Sequence, residues 1–381
     1  MQGIKTATSP TPLDPDSVAA FAADLAARLS AETDNRHQGM PSDAESRAAY
    51  AAYGQAGLIG LHWAGKHGGR ELHPRDTDAL EETFGYHWLP LSGYLLSVKT
   101  IGNALRRFAE PALADALLPR ISAGEMLFCQ GFSEPEAGSD LAGLRTRAVR
   151  DGDHFVVTGR KIWTSSAEYA DWCYLAVRTD PDPATPRHRG ISVLVCDMKT
   201  PGIQVGTHPT LGGGTLGELT LDEVRIPADQ LVGELHGGWG LLMGTLDYER
   251  VTSEKVGIAR RVLDELTPHA RGSADRLALL RLGGEVQACR AIGARATALL
   301  AAGQSASEAS SMAKLSISYL LQRIARTAAG ILGPQLFIEQ GPDAVFDGRL
   351  AAFHRATVAT TIAGGASDIQ RRVIARRGLL C

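Results

Sequence analysis

Two short runs carry the residues best suited to binding a ligand. Residues 128–141 read F-C-Q-G-F-S-E-P-E-A-G-S-D-L, and residues 163–165, at the end of a strand-like run, read W-T-S. The first run places two serines, a proline and a Gly-Ser step in one turn, where backbone N–H groups and hydroxyls become available to an anion or to the polar edge of a ring. We therefore expect this turn to bind a ligand.

The hydrophobic periodicity changes twice along the chain and predicts the elements that position these runs. Apolar residues at helical spacing begin after Asp14 and continue, in an alanine-rich sequence, to about residue 121. Short β-type runs separated by turn residues occupy about 128–233. Long amphipathic helical segments follow from 237 to the end, at 241–266, 274–302, 305–332 and after Asp347. We predict an α+β multidomain protein with an all-α domain (1–125), a small β-barrel or sandwich (126–235) and a four-helix bundle (236–381).

Composition narrows the class of protein. A chain of 381 residues with 44% apolar content is long enough for two or three domains with their own cores. Lys and Arg total 39 against 42 acidic residues, so the charge predicts no nucleic acid and no anionic membrane as partner. Five scattered cysteines predict neither a disulfide framework nor a metal site. Since no apolar run has membrane-spanning length and the N-terminus lacks a signal-peptide pattern, we expect a cytoplasmic protein.

In order and spacing, the 128–141 run together with Trp163 resembles the flavin- and acyl-CoA-binding signature of the acyl-CoA dehydrogenase family. The resemblance extends over nearly the whole chain, because the order helical, β, helical matches that family's architecture. It implies an N-terminal all-α domain, a middle β-barrel and a C-terminal four-helix bundle. It also implies FAD as cofactor, an acyl thioester as substrate, an electron-transfer flavoprotein as electron acceptor, and assembly as a homotetramer or a heteromer.

The resemblance carries a set of flavin contacts over to this chain. They are Gln130, Phe132, Ser133, Gly138, Ser139, Trp163, Ser165, Ala366 and Asp368. In the family the tryptophan packs against the flavin, the hydroxyl residue two positions later faces the N5/O4 edge, and the second signature serine touches both flavin and acyl-CoA. At position 366 alanine replaces the usual threonine, so backbone N–H groups would have to serve there. Without the resemblance, the first run would be an ordinary Pro/Gly surface loop and Trp163 a core residue.

The position of the catalytic base sets this chain apart from most of the family. Most members carry the glutamate that removes the α-proton in a C-terminal Y-E-G-T run, but the matching run here, residues 361–370, has Gly364 at that position. A minority, similar to isovaleryl-CoA dehydrogenase and to actinobacterial sterol-degrading members, carry it in an L-x-x-E-R run just after the β-domain. Residues 246–250 read L-D-Y-E-R, so the resemblance implies Glu249 as the catalytic base.

The spacing around Glu249 favours a sheltered carboxyl group. Leu242 and Leu246, seven and three residues before it, lie on the same helical face. Burial raises the pKa of a carboxyl group and makes it a better base. The alternative is a surface ion pair, yet the residues four positions before and after, Thr245 and Ser253, are not cationic.

Four positions are implied to contact the acyl thioester. They are Ser139, Asp247, Arg250 and Gly365. A surface helical aspartate is an equally good interpretation of Asp247. Arg250 has Glu254 four residues later and could instead form an ion pair with it.

The sequence therefore predicts a FAD-dependent dehydrogenase that removes an α-proton and a β-hydride from an acyl thioester, carried by CoA or by a carrier protein. Two rivals stay open at this point. One is a non-catalytic or half-active subunit of a heteromeric dehydrogenase, which Gly364 favours and Glu249 opposes. The other is a flavin-dependent oxidase or monooxygenase with the same fold.

Overall fold

The computed structural model describes residues 12–32 and 43–378. The first group of elements is entirely helical, which confirms the predicted all-α character of this part of the chain. It comprises α1 (Pro15–Glu32), α2 (Asp43–Gln55), α3 (Pro74–Tyr86), α4 (Ser92–Tyr94), a π-helical segment (Leu95–Gly102), α5 (Asn103–Phe108) and α6 (Pro111–Ser122).

The start of α3 shows how local sequence sets a helix boundary. Pro74 occupies the first turn, where its missing N–H removes no helical hydrogen bond. The N–H of His73 donates to the Asp76 carboxylate (3.1 Å), and the His73 ring accepts a backbone N–H in return. This capping box satisfies backbone groups that the first turn leaves without helical partners.

The middle of the chain forms one eight-stranded sheet. Its strands are β1 (Phe128–Gly131), β2 (Arg147–Asp151), β3 (His154–Thr164), β4 (Trp172–Arg178), β5 (Ile191–Asp197), β6 (Ile203–Pro209), β7 (Thr215–Pro227) and β8 (Leu231–Val232). They are hydrogen-bonded in the order β6-β7-β3-β2-β4-β5-β8, and β1 pairs with β4 in parallel.

The predicted barrel is wrong, because this sheet is open. The two ends of the hydrogen-bonded order, β6 and β8, do not pair with each other among the described residues. Closing a barrel needs a continuous ladder between the first and last strands. Here β7 has 13 residues while β8 has only 2, so β8 is too short to complete the ring.

The last part of the chain is helical again, as predicted. Its helices are α7 (Gly238–Glu249), α8 (Ser253–Leu266), α9 (Ser273–Ala301), α10 (Ser307–Leu332), α11 (Arg349–Ala359) and α12 (Ser367–Gly378). Buried apolar residues of α8, α9 and α10 form one hydrophobic cluster. No helix in the described part of the chain is long and apolar enough to cross a membrane.

Two predicted continuous helices are broken, and both breaks matter for the site. The helix predicted from 241 to 266 is two helices in the structure, because α7 ends at Glu249 and α8 begins at Ser253. Between them, Thr252 leaves helical geometry (φ −119°, ψ 57°). The final segment is split between α11 and α12 by Gly364 and Gly365, whose φ angles are +65° and +91°. Positive φ is strained for residues with a side chain, so glycine suits both positions in the loop that follows the end of α11 at Ala359.

Helices α3 and α8 cross at two reciprocal glycines. A Cβ on Gly85 of α3 would lie 2.0 Å from the carbonyl oxygen of Glu254 in α8. A Cβ on Gly257 of α8 would lie 1.9 Å from the carbonyl oxygen of Glu82 in α3. Both atoms met are backbone, so neither can rotate away. The contact between the N-terminal and C-terminal helices therefore requires glycine at both positions.

We predict that Gly85→Ala and Gly257→Ala each lower the free energy of unfolding by about 2–3 kcal/mol, since the added methyl group forces two backbones apart. Thermal unfolding of the purified protein measures the effect. The matched control is Gly284→Ala on α9, where an added Cβ meets no atom within 4 Å. That variant should equal or exceed the wild-type stability, by up to about 1 kcal/mol, because alanine is the better helix former. Equal melting temperatures for all three variants would contradict the crossing.

Candidate active site

The carboxyl group of Glu249 lies where three segments of the chain meet. Glu249 is the last residue of α7 and is partly buried. Its Oε2 lies 3.4 Å from Nε2 of Gln130 on β1. Its Oε1 lies 3.2 Å from the place where a Cβ on Gly364 would stand. The carboxyl group of Glu249, the residue predicted as the base, thus lies beside Gly364 in the C-terminal run.

Gln130 also presents a polar atom without a partner. Its Oε1 is buried and makes no hydrogen bond in the part of the chain that the structure describes. Buried polar atoms in proteins nearly always have a hydrogen-bond partner. An N–H or O–H donor of a bound molecule would supply one next to Glu249.

The turn within residues 128–141, called here the signature turn, is held by a buried ion pair that the sequence did not predict. The N–H groups of Glu134 and Ala137 donate to each other's carbonyl oxygens, both at 3.0 Å. Lys161 of β3 donates to the Glu134 carboxylate at 2.8 Å and to the carbonyl oxygen of Phe132 at 3.2 Å. Burial opposes ionisation of Glu134, but the Lys161 ammonium and the hydrogen bonds outweigh it and leave the pKa of Glu134 below its ordinary value.

The turn leaves its predicted ligand-binding residues accessible. Phe132 is buried and Ser133 is partly buried, whereas Gly138 and Ser139 are exposed. A Cβ on Gly138 would meet no atom within 4 Å. The Gly-Ser step therefore faces open space, as a surface that contacts a ligand must.

Trp163, the penultimate residue of β3, has its ring in solvent. Its side chain is 56% exposed, it has a positive φ of 59°, and its ring centroid lies 6.2 Å from that of His208. Exposure of a large apolar ring is costly unless another molecule covers it. Ser165 follows two residues later and is partly buried. The alternative interpretation of Trp163 as a core residue is wrong.

Asp247 and Arg250 are engaged with the protein itself. Arg250 Nη1 donates to Asp247 Oδ1 at 3.2 Å, and Ser307 Oγ donates to Asp247 Oδ2 at 2.8 Å. Burial raises the pKa of Asp247 above its ordinary value, and the two partners limit that rise. Within the described residues Arg250 thus pairs with Asp247 and not with Glu254. Substrate contact by either residue stays a prediction.

The loop between α11 and α12 approaches Glu249 at Gly364, next to two of its predicted residues, and directs a third away. Gly365 and Ala366 are partly buried and follow Gly364 directly. The side chain of Asp368 is 92% exposed and pairs with Arg371 at 2.8 Å. The structure therefore gathers Gln130, Glu249 and the glycine pair, whereas Asp368 faces solvent at the start of α12.

Sequence reasoning missed Lys161, although the pattern of β3 contained a signal. Phe155 and Val157 point into the sheet core, and alternation places position 161 on the same side. A lysine at an inward position requires a buried partner. That requirement would have pointed to a carboxylate in the neighbouring signature turn.

Each of the three parts of the chain matches a model of a known domain family. Models of the acyl-CoA dehydrogenase N-terminal, middle and C-terminal domains match residues 15–125, 129–224 and 236–379. The chain belongs to the acyl-CoA dehydrogenase family. Members of this family are flavoproteins that oxidise acyl-CoA, so the enzyme class predicted from the signature turn is confirmed.

Among its relatives, acyl-CoA dehydrogenase IpdE1 of Mycobacterium tuberculosis is 34% identical over 347 residues, which are 88% of either chain. Acyl-CoA dehydrogenase FadE26 of the same organism is 31% identical over 346 residues, 86% of either chain. A solved structure described as the Tcur3481-Tcur3483 steroid ACAD has a TM-score of 0.85 at 28% identity, covering 97% of this chain and 98% of that one. The ChsE4-ChsE5 complex from Mycobacterium tuberculosis gives 0.83 at 28% identity, with 96% of each chain covered.

We predict that Glu134→Gln lowers the free energy of unfolding by about 3 kcal/mol at neutral pH, because it leaves the Lys161 ammonium buried without an anion. Thermal unfolding should show a lower melting temperature, and the visible spectrum should show a reduced flavin content. Since the folded pKa of Glu134 lies below 4.5, the wild-type advantage is complete above pH 4.5 and shrinks as the pH falls through the lowered value.

The control for this substitution lies two residues away. Glu136 stands at the exposed tip of the same turn, so Glu136→Gln changes the net charge equally without removing a buried partner. Its melting temperature should match the wild type within about 1 °C, since exposed charges contribute little. If both glutamine variants lost the same stability, the ion pair would not be what holds the turn.

Proposed function

We propose that this protein removes the α-proton and the β-hydride of an acyl-CoA thioester, with Glu249 as the base and FAD as the hydride acceptor. The observation that carries the proposal is the place of the Glu249 carboxyl group. It lies 3.2 Å from a Cβ position on Gly364, the residue that stands where most family members have their base. A carboxylate supplied from α7 thereby serves the position that the C-terminal run leaves empty.

The surroundings of Glu249 suit proton abstraction. Nε2 of Gln130 lies 3.4 Å from Oε2 of Glu249. The other carboxyl oxygen, Oε1 of Glu249, faces the loop that contains Gly364 and Gly365, called here the glycine loop. Glycines at 364 and 365 keep side chains out of that side, so a substrate carbon could approach Oε1. In this arrangement Glu249 receives the α-proton on a carboxylate oxygen and holds it as the neutral acid.

The residues present fit a flavin. Gln130, with its unpartnered buried oxygen, and Trp163, with its exposed ring, offer a hydrogen-bond acceptor and an apolar face. The open Gly-Ser step and Ser165 would add polar contacts, and Ser133, Phe132 and Ala366 would border the group. FAD, when bound there, supplies the acceptor for the substrate's hydride. The chain's own part is to hold, orient and shield the two reactants.

Named relatives suggest which thioesters and partners to test. Cyclohexane-1-carbonyl-CoA dehydrogenase of Geobacter metallireducens is 30% identical over 302 residues, 75% of this chain. Two solved relatives are described by pairs of chain names, one of them as a steroid ACAD. We propose linear, branched, alicyclic and steroid CoA thioesters as the test panel. We further propose an electron-transfer flavoprotein as the acceptor, and an oligomer, either a homotetramer or a heteromer.

We predict that Glu249→Gln keeps the yellow colour of bound flavin but slows its bleaching by the best thioester of the panel at least about 10³-fold. An amide has nearly the shape of the carboxyl group and cannot take the proton. Anaerobic stopped-flow absorbance measures the bleaching, and the visible spectrum measures the flavin content.

The control is Glu265→Gln, which removes a carboxylate from the C-terminal end of α8, the end farther along the chain from Glu249. Glu265 pairs there with Arg261. Its bleaching rate should stay within about twofold of wild type. A Glu249→Gln protein that bleaches at the wild-type rate would show that another group takes the proton. A wild type that no thioester bleaches, even with a co-expressed partner chain, would contradict the proposed function itself.

A further inference from the structure

A row of polar side chains runs along one side of α10, facing the candidate site. Its members follow one another at steps of three or four residues, which places them on one face of a helix. They are Ser307, Ser310, Lys314, Ser318 and Gln322, called here the α10 polar row. All five donate hydrogen bonds to segments outside α10.

The two ends of the row bind different parts of the site. The two serines at its start donate to the carboxylate of Asp247, at 2.8 and 3.4 Å, two residues before Glu249. The last two members donate to the carbonyl oxygens of Thr360 (2.8 Å) and Thr357 (3.1 Å) at the end of α11. Carbonyls at a helix C-terminus lack helical partners, so these bonds fix where α11 stops and the glycine loop begins.

Lys314 lies at the centre of the row and donates through Nζ to the carbonyl oxygen of Gly365 at 2.7 Å. It is only 3% exposed. Burial lowers the pKa of Lys314 to about 8, Lys255 and Arg250 act in the same direction, and Glu249 opposes them. At neutral pH the amine is therefore mostly charged, and its bond to the loop is of the stronger, charge-assisted kind.

Gln370 of α12 holds the same loop from the other helix. Its Nε2 donates to the carbonyl oxygens of Gly364 (3.1 Å) and Gly365 (3.0 Å). In a trans peptide the N–H points opposite to the C=O. With both carbonyls turned toward Lys314 and Gln370, the N–H groups of Gly365 and Ala366 point away from them. A Cβ on Gly365 would lie 2.6 Å from Nε2, so only glycine allows this approach.

We propose that Lys314 and Gln370 are positioning residues for the dehydrogenation: they fix the peptide planes of residues 364–366 and so hold Gly364 against the Glu249 carboxyl group. Through Asp247, the same α10 polar row holds the end of α7. One rigid helix thereby sets the separation between the base and the loop opposite it. The inference rests on the proposed function for its effect on rate, whereas its effect on the loop is independent of that function.

The test uses the full-length holoenzyme and Lys314→Met, which keeps much of the side-chain volume and removes the donor and the charge. Hydrogen–deuterium exchange of the segment 360–370 should become about 10-fold faster, with the sheet unchanged. At saturating thioester, the flavin-bleaching rate should fall about 10- to 100-fold, because a displacement of about 1 Å costs that much. Flavin content and the thioester dissociation constant should stay within about threefold of wild type. Lys314→Arg, which retains a donor, should recover part of the rate.

The matched control is Lys255→Met. Lys255 is a nearby cation that acts on Lys314, but its ion pair is with Glu254 at 3.7 Å and not with the loop. It should change neither the exchange of segment 360–370 nor the bleaching rate by more than about twofold. If Lys314→Met does not fold, Gln370→Leu tests the same loop, with the same expected results.

The outcomes separate this inference from the proposed function. Unchanged exchange and unchanged bleaching in the variants would overturn the positioning role. Faster exchange throughout α8 to α12, with flavin content and rate falling in proportion, would also overturn it, since the residues would then only stabilise the fold. If no thioester bleaches the wild type, the proposed function fails, and the exchange experiment still decides whether Lys314 and Gln370 hold the loop.

Discussion

The contact between the Glu249 carboxyl group and Gly364 is the constraint on which the rest of the site depends. A Cβ on Gly364 would lie 3.2 Å from Oε1 of Glu249, so a side chain at position 364 would force the carboxyl group to shift by a few tenths of an ångström. Gly364 and Gly365 also have positive φ angles, which glycine adopts without strain. The position of the Glu249 carboxyl group and the glycine at position 364 are therefore linked by one close approach.

Holding that contact requires several buried polar groups to be satisfied at once. Asp247 is bonded to Arg250 and to α10, and the glycine loop is bonded to Lys314 and Gln370. Removing one partner from such a network leaves the others desolvated and unpaired, which costs more than the bond itself. The C-terminal helices thus hold both the end of α7 that carries Glu249 and the loop that contains Gly364 and Gly365.

Ion pairs also connect the parts of the chain to one another. Glu82 of α3 accepts from Arg260 of α8 (2.6 Å) and from Arg290 of α9 (2.8 Å), which links the N-terminal helices to the C-terminal ones. Lys161 of β3 is bonded to the signature turn. Because α3 and α8 also meet backbone to backbone at their glycines, the helices that precede the sheet in the chain pack directly against those that follow it.

Much of this could be read from the sequence alone. Periodicity and turn residues separated helical, β and helical regions. The runs 128–141 and 163–165 indicated the family, and L-D-Y-E-R indicated Glu249. Local patterns suffice there because they depend on residues close together in the chain.

The open edge of the sheet, the break after Glu249 and the partners of Arg250 did not follow from the sequence. Those features depend on contacts between distant segments, such as β8 with β5, Gly364 with Glu249 and Lys314 with Gly365. Only tertiary structure brings such residues together, because burial and packing, not sequence spacing, decide which polar groups meet.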